Sequence, residues 1–224
     1  KVHGEQGQNH VKKCVIEMGG KNATIIDSDA DLDEAVPGVV GAAFGYQGQK
    51  CSATSRVIVV GDAYDTFVHR LQEMVEGLRV GGGNNPKYDV GAVIDKDAYN
   101  KINSYIDLGK QEGTLLAQAK KAEENGWFIP PVVFTDLPPQ SRLIHEEIFG
   151  PVLVVQKAQD IPQAVDMALD TDYKLTGACY SRNPESIAYV QQHFRVGNLY
   201  INRKSTGSLV GRQPFGGGGL SGTG

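Results

Sequence analysis

The chain has 224 residues, 40% of them hydrophobic, and a net charge of −4 with both signs mixed along its length. That length supports a sizeable core in one large domain or two small ones, while no apolar run approaches a membrane span and no basic cluster marks a nucleic-acid track. Three cysteines, Cys14, Cys51 and Cys179, stand far apart without metal-ligand spacing, and the polar start KVHGEQGQNHVKK has no signal-peptide core; this argues against a disulfide framework, a metal site or secretion, and for a reducing compartment such as bacterial cytoplasm or mitochondrial matrix.

In chain order, the apolar residues of 14–18 read as a strand end closed by a tight turn at Gly19-Gly20. A β-branched run at 23–26 predicts a strand. Asp29 or Asp31 caps the next helix, where Leu32, Ala35, Val36, Val39, Val40 and Ala43 keep helical spacing and Pro37 falls early enough to be tolerated. The polar, glycine-bearing stretch FGYQGQKCSA (44–53) is a turn between that helix and a buried strand at 55–60. An amphipathic helix over 62–79, a loop at 81–86 and a helix over about 96–112 follow. Residues 120–127 read as a hairpin or surface excursion. Strands at 129–134 and 152–156 flank a long loop carrying HEEIFGP (145–151). The remainder reads as a helix over 160–169, a strand at 177–181, a helix over 184–194 capped by Asn183, a strand at 198–202 and a closing loop. This alternation predicts an α/β fold, a mostly parallel twisted sheet with helices on both faces, whose site lies at the carboxyl ends of the strands.

Cys51 is the candidate nucleophile, because a turn can expose a thiol and only an accessible thiolate reacts; Lys50 beside it would favour the thiolate. Cys14, in an apolar run, and Cys179, in a strand, read as core. Two partners for Cys51 stay open. His145, on a loop, would make a Cys–His acyl-transfer site. Glu17, ending an apolar run before Gly19-Gly20, would be a base whose pKa is raised by a partly apolar pocket. His3, His10, His69 and His193 read as solvated. Glu146 and Glu147, beside Phe149, read either as a solvated pair or as a carboxylate that grips a ribose diol with Phe149 against a flat ring. The glycines at 216–219 lack the strand-to-helix setting of a phosphate loop.

Together, EMGGKN (17–22), GQKCSA (48–53), EEIFGPV (146–152), GNLYIN (197–202) and PFGG (214–217) resemble, in order and over nearly the whole chain, the thiol-bearing catalytic half of the aldehyde dehydrogenase superfamily. The resemblance implies that Cys51 is the nucleophile and Glu17 the base for the deacylating water. It implies that Glu147 binds the nicotinamide ribose of NAD, with Phe149 at the nicotinamide end. FGYQGQKCSATSR and YINRKSTGSLVGRQPFGG (200–217) look like the 1-pyrroline-5-carboxylate dehydrogenase group, which oxidises L-glutamate γ-semialdehyde to L-glutamate in proline catabolism. By that likeness Ser52, Gly207 and Ser208 hold the substrate's α-carboxylate, Phe215 packs on its aliphatic part and Lys50 adds positive field. The expectation is therefore one catalytic domain over 1–224, a homo-oligomer, with an NAD-binding half and an oxyanion asparagine lying outside these residues, the two ends packing on that half, and no productive NAD binding by this chain alone. The ending GGGGLSGTG departs from the lysine and bulkier residue usual after PFGG. NAD against NADP is left open. Another aldehyde as substrate, or a catalytically silent oligomerisation module, are the alternatives.

Overall fold

The computed structural model describes residues 14–121 and 125–223. In chain order the elements are β1 (Asn22–Ile26), α1 (Leu32–Phe44), β2 (Thr54–Val60), α2 (Ala63–Glu76), β3 (Arg79–Val80), α3 (Lys96–Glu112), β4 (Thr114–Gln118), β5 (Lys120–Lys121), β6 (Val132–Thr135), α4 (Arg142–His145), β7 (Val152–Ala158), α5 (Ile161–Leu169), β8 (Tyr173–Lys174), β9 (Thr176–Tyr180), α6 (Pro184–His193), β10 (Asn198–Ile201) and β11 (Gly218–Gly219). Side-chain caps set the helix starts: Asp31 accepts from Asp33 N–H, Asp95 from Ala98 N–H, Asp160 from Gln163 N–H and Asn183 from Glu185 N–H.

Seven strands form one sheet in the order β10-β9-β1-β2-β7-β6-β4. All pairings are parallel except β4 with β6 at one edge. Alternation along the strands splits the core between two faces. Ile26, Val57 and Val59 pack with α1 and α2, while Ile25, Ile58 and Val60 pack with α5 and α6. Val132, Phe134 and Val154 join α3 on the latter side of the sheet. The predicted α/β layering holds, and the core helices fall within a few residues of their expected spans.

Three expectations are corrected. Residues 14–16 form no strand, and Glu17 makes only an isolated bridge with Gly222. Cys14 is exposed rather than core. The motifs gather at the amino ends of the parallel strands, not the carboxyl ends. Register shows why: Asn22 pairs Thr54, Val132 pairs Val152 and Asn198 pairs Thr176, so these strands begin at one level. Glu17 to Gly20, Cys51 and Glu147 to Gly150 all immediately precede strand starts. At that end the helices deliver their C-termini, so the Cys51 turn faces the negative end of α1 and gains no N-terminal dipole.

Arg56 ties this end together. It is 1% exposed and donates Nε and Nη2 to Lys21 O, Nη1 to Met167 O and Nη2 to Ala168 O. It thereby straps the residue ahead of β1 to the last turn of α5, where a cation suits the helix dipole. Burial, partly offset by Asp170, lowers its pKa to about 10. Arg56→Met leaves three buried carbonyls unpaired and should destabilise the full-length protein by about 3 kcal/mol, offset in part by the removed buried charge. A thermal melt checks this, with an expected fall of a few degrees; an unchanged midpoint would show that the strap contributes nothing net.

Candidate active site

The turn that carries Cys51 begins with backbone strain. After α1, a single 3₁₀ turn (Gly45–Gly48) places two consecutive non-glycine residues, Tyr46 and Gln47, at φ of 56° and 57°. Left-handed backbone costs about 1–2 kcal/mol per L-residue, so the surroundings must impose it. They do so through Gln49, whose N–H donates to Tyr46 O at 3.0 Å and whose Oε1 accepts from Ile94 N–H at 3.1 Å. Gly48 also has positive φ, and a Cβ there would run into the backbone of Gly150. The strained turn therefore locks the Cys51 segment against the loop that carries Glu147.

Cys51 is half-buried. Burial raises its thiol pKa; the Ser52 N–H then lowers it, the charges of Glu147 and Glu17 raise it, and the Cys51 N–H lowers it. Both backbone N–H groups thus favour the thiolate, and two carboxylates lie within electrostatic reach of it. Cys179, fully buried on β9, has its thiol pushed up to about 12 by burial first and by Asp27 and Asp29 after it; it is the inert, core thiol that was expected.

Glu147 is half-buried, and its Oε1 accepts from the Gly20 N–H at 2.8 Å. A Cβ on Gly19 would collide with that carboxylate, so the glycine pair is what lets it approach. Its neighbour Glu146 faces elsewhere. Arg142 grips Glu146 in a bidentate pair at 2.8 Å to each oxygen, and the Tyr105 hydroxyl donates to the same carboxylate. Arg142 first, then Tyr105, lowers the Glu146 pKa to about 2. The acidic pair is therefore split: Glu146 anchors the loop, and Glu147 points to the site. Phe149, 42% exposed, holds φ of 60° on that loop.

Glu17 is exposed, so the apolar pocket expected to raise its pKa is not formed by the described residues. Its charge nonetheless reaches the Cys51 thiol. His145 does not: its Nε2–H donates to Pro139 O at 2.7 Å, away from the thiol. His69 and His193 are exposed on helices, as expected, and His3 and His10 lie outside the described residues. Lys50 is exposed, with Nζ 5.9 Å from the Tyr46 ring centre, and it is not among the groups that shift the Cys51 thiol. Its expected role in favouring the thiolate finds no support.

The late loop returns to the thiol turn. Ser52, Ser208 and Phe215 line one cavity of about 360 Å³, together with Ser205, Thr206 and Leu209. Gly207 is buried behind it, with its carbonyl accepting from Arg203 Nη2 at 3.0 Å. A larger cavity of about 460 Å³ shares Phe215 and is lined also by Lys174, Arg195 and the 214–218 loop, with no cysteine or serine among its lining residues. Two residues escaped notice in sequence. Asn22, 3% exposed, bonds the carbonyls on either side of Ser52. Lys21, 2% exposed, has no hydrogen-bond partner for Nζ among the described residues, and burial first, then the Arg56 charge, lowers its pKa to about 7. Nothing in EMGGKN beyond the polar character of these two residues signals either.

A half-buried thiol on a turn, with two carboxylates within electrostatic reach and a cavity at the next residue, is an arrangement that suits a nucleophilic cysteine. The chain belongs to the aldehyde dehydrogenase family, whose sequence model matches residues 1–224. It is 48% identical over 223 residues to a 1-pyrroline-5-carboxylate dehydrogenase of Geobacillus kaustophilus (strain HTA426), covering 100% of this chain and 43% of that protein. Among solved structures it resembles proline utilization A from Bdellovibrio bacteriovorus inactivated by N-propargylglycine, with TM-score 0.93, 49% identity, 98% of this chain and 23% of that one. It also resembles a 1-pyrroline-5-carboxylate dehydrogenase from Thermus with bound NAD, with TM-score 0.90, 48% identity, 97% of this chain and 42% of that one. The chain spans under half the length of the curated relatives it matches.

Proposed function

We propose that this chain is the catalytic half of an NAD-dependent dehydrogenase that oxidises L-glutamate γ-semialdehyde to L-glutamate through a thioester on Cys51. The carrying observation is that Cys51 presents its thiol beside Ser52, and that Ser52, Ser208 and Phe215 open on one cavity. The names of the relatives from Geobacillus kaustophilus and Thermus support the same reading.

In this reading the Cys51 thiolate adds to the aldehyde carbon, forming a C–S bond and an oxyanion. The backbone N–H groups of Cys51 and Ser52 lie next to where that oxyanion develops and stabilise it. NAD, when bound, supplies the hydride acceptor. The residues present suit it: Glu147 has one oxygen fixed by Gly20 and the other without a hydrogen-bond partner among the described residues, open to a ribose hydroxyl, while Phe149 offers an exposed ring. The thioester is then cleaved by water, whose proton Glu17 accepts; the C–S bond breaks and the thiolate leaves. A hydroxyl and backbone N–H groups at Ser52, Gly207 and Ser208 cradle the α-carboxylate, and Phe215 covers the methylenes.

Ser208→Leu in the full-length protein tests the substrate. The Michaelis constant for the semialdehyde should rise about tenfold or more, the weight of one lost hydrogen bond to a charged group. An unbranched aldehyde without the carboxylate should show no such rise. An unchanged constant for the semialdehyde would remove the cradle and favour another aldehyde.

A further inference from the structure

Three consecutive carbonyls under the thiol are all held by side chains. Asn22 Nδ2 donates to Cys51 O at 2.8 Å and to Ala53 O at 2.7 Å, and Asn22 Oδ1 is itself fixed by the Thr176 N–H at 3.0 Å. Between them, Ser52 O accepts from Ser205 Oγ at 3.1 Å and from Thr176 Oγ1 at 3.4 Å. Ser205 is fully buried and ends a chain of hydroxyls: Thr24 to Thr54 at 3.0 Å, Thr54 to Ser205 at 2.9 Å. Each hydroxyl has one proton to give, so the chain donates in one direction, ending on Ser52 O. Gly20 completes the seat, since a Cβ there would stand 2.5 Å from Cys51 O.

Peptide planarity converts these contacts into donor direction. In a trans peptide the C=O and the following N–H point opposite ways. Holding Cys51 O inward therefore turns the Ser52 N–H outward. Holding Ser52 O orients the Ala53 N–H, which donates to Lys50 O at 3.0 Å. That bond fixes the Lys50–Cys51 peptide and turns the Cys51 N–H outward in turn. The two outward N–H groups are the ones that favour the Cys51 thiolate.

We infer that Asn22 and Ser205 are positioning residues that aim the Ser52 and Cys51 N–H groups at the reacting centre, Asn22 through the Cys51 carbonyl and Ser205 through the Ser52 carbonyl. Both act through backbone carbonyls: Asn22 is 3% exposed, and Ser205, although it lines the cavity beside Ser52, gives its one proton to the Ser52 carbonyl. The consequence for turnover rests on the thiol dehydrogenase reading; the consequence for the thiol does not.

The test uses the full-length protein and iodoacetamide, which alkylates the thiolate without substrate or cofactor, the Cys51 peptide being followed separately from Cys14. Both N–H groups favour the thiolate, so Asn22→Ala and Ser205→Ala should each shift the pH midpoint of Cys51 alkylation upward. Each should also cut NADH formation about tenfold or more, below the full loss of an oxyanion donor. Ser205→Thr, which keeps the hydroxyl, should restore both. If Asn22→Ala does not fold, Ser205→Ala and Ser205→Thr decide the matter. Folded variants alkylated with the wild-type midpoint would overturn the inference, whether or not NADH formation falls. A shifted midpoint in a protein whose wild type never oxidises aldehydes would leave the aiming intact and remove the dehydrogenase reading instead.

Discussion

Cys51→Ala in the full-length protein abolishes aldehyde-dependent NADH formation, with kcat falling about 10⁴-fold or more, while the fold survives. The first half follows from chemistry. Without the sulfur no thioester forms, and direct hydride loss from a free aldehyde hydrate has no covalent step to lower its barrier. The second half follows from the structure. Cys51 is only half-buried, and its turn is held by backbone carbonyls and by Gln49 rather than by the thiol. Truncation to alanine therefore opens no large cavity and orphans no partner. Cys179→Ala is the matched control: that thiol lies in the core, far above neutral in pKa, and its loss should leave turnover in place. Steady-state NADH formation with a thermal melt reads both variants. Turnover retained by Cys51→Ala would sink the thioester mechanism, and turnover lost with Cys179→Ala would mean that the wrong thiol has been chosen.

The sequence exposes the parts of this molecule whose physics is local. The β-branched run of β2 and the aspartate and asparagine caps of α1 and α6 depend on neighbours a few residues away, and those elements fall where expected. β4 does not show itself, because TLLAQ is an edge strand paired antiparallel and mostly exposed, with little alternation to read. The end of the sheet that carries the site was misjudged for a different reason. The carboxyl-end expectation comes from open α/β sheets in general, but here the motif-bearing loops sit before the strands they feed. Asn22, Arg56 and Ser205 were invisible because their partners are distant in sequence: Asn22 meets Cys51, Arg56 meets Met167, and Ser205 meets Ser52 only after the sheet has formed. An asparagine or serine carries no mark of such a role until its partners are known. The residues alone left Glu146 and Glu147 as a pair and only the family resemblance chose Glu147; the hold of Arg142 and Tyr105 on Glu146 supplies the physical reason.

Glu17→Gln should have opposite effects on the two things Glu17 touches. The carboxylate raises the Cys51 thiol pKa, after burial and with Glu147, so removing its charge lowers that pKa. A lower thiol pKa means more thiolate at neutral pH, so Cys51 alkylation by iodoacetamide at pH 7 should become faster. Turnover should move the other way. Water attacking the thioester must lose a proton, and glutamine cannot accept it; loss of a general base costs about 10²–10⁴-fold. The variant should therefore give a burst of NADH close to one per active site, followed by slow steady-state release of acid. The exposure of Glu17 makes the substitution mild for the fold, so the melt should be unaffected. This crossed pattern separates a base from a structural residue. Damage to the turn would slow alkylation and the burst together, and a bystander carboxylate would speed alkylation without touching turnover. Only a group that both burdens the thiol and serves the water gives a more reactive cysteine in a slower enzyme.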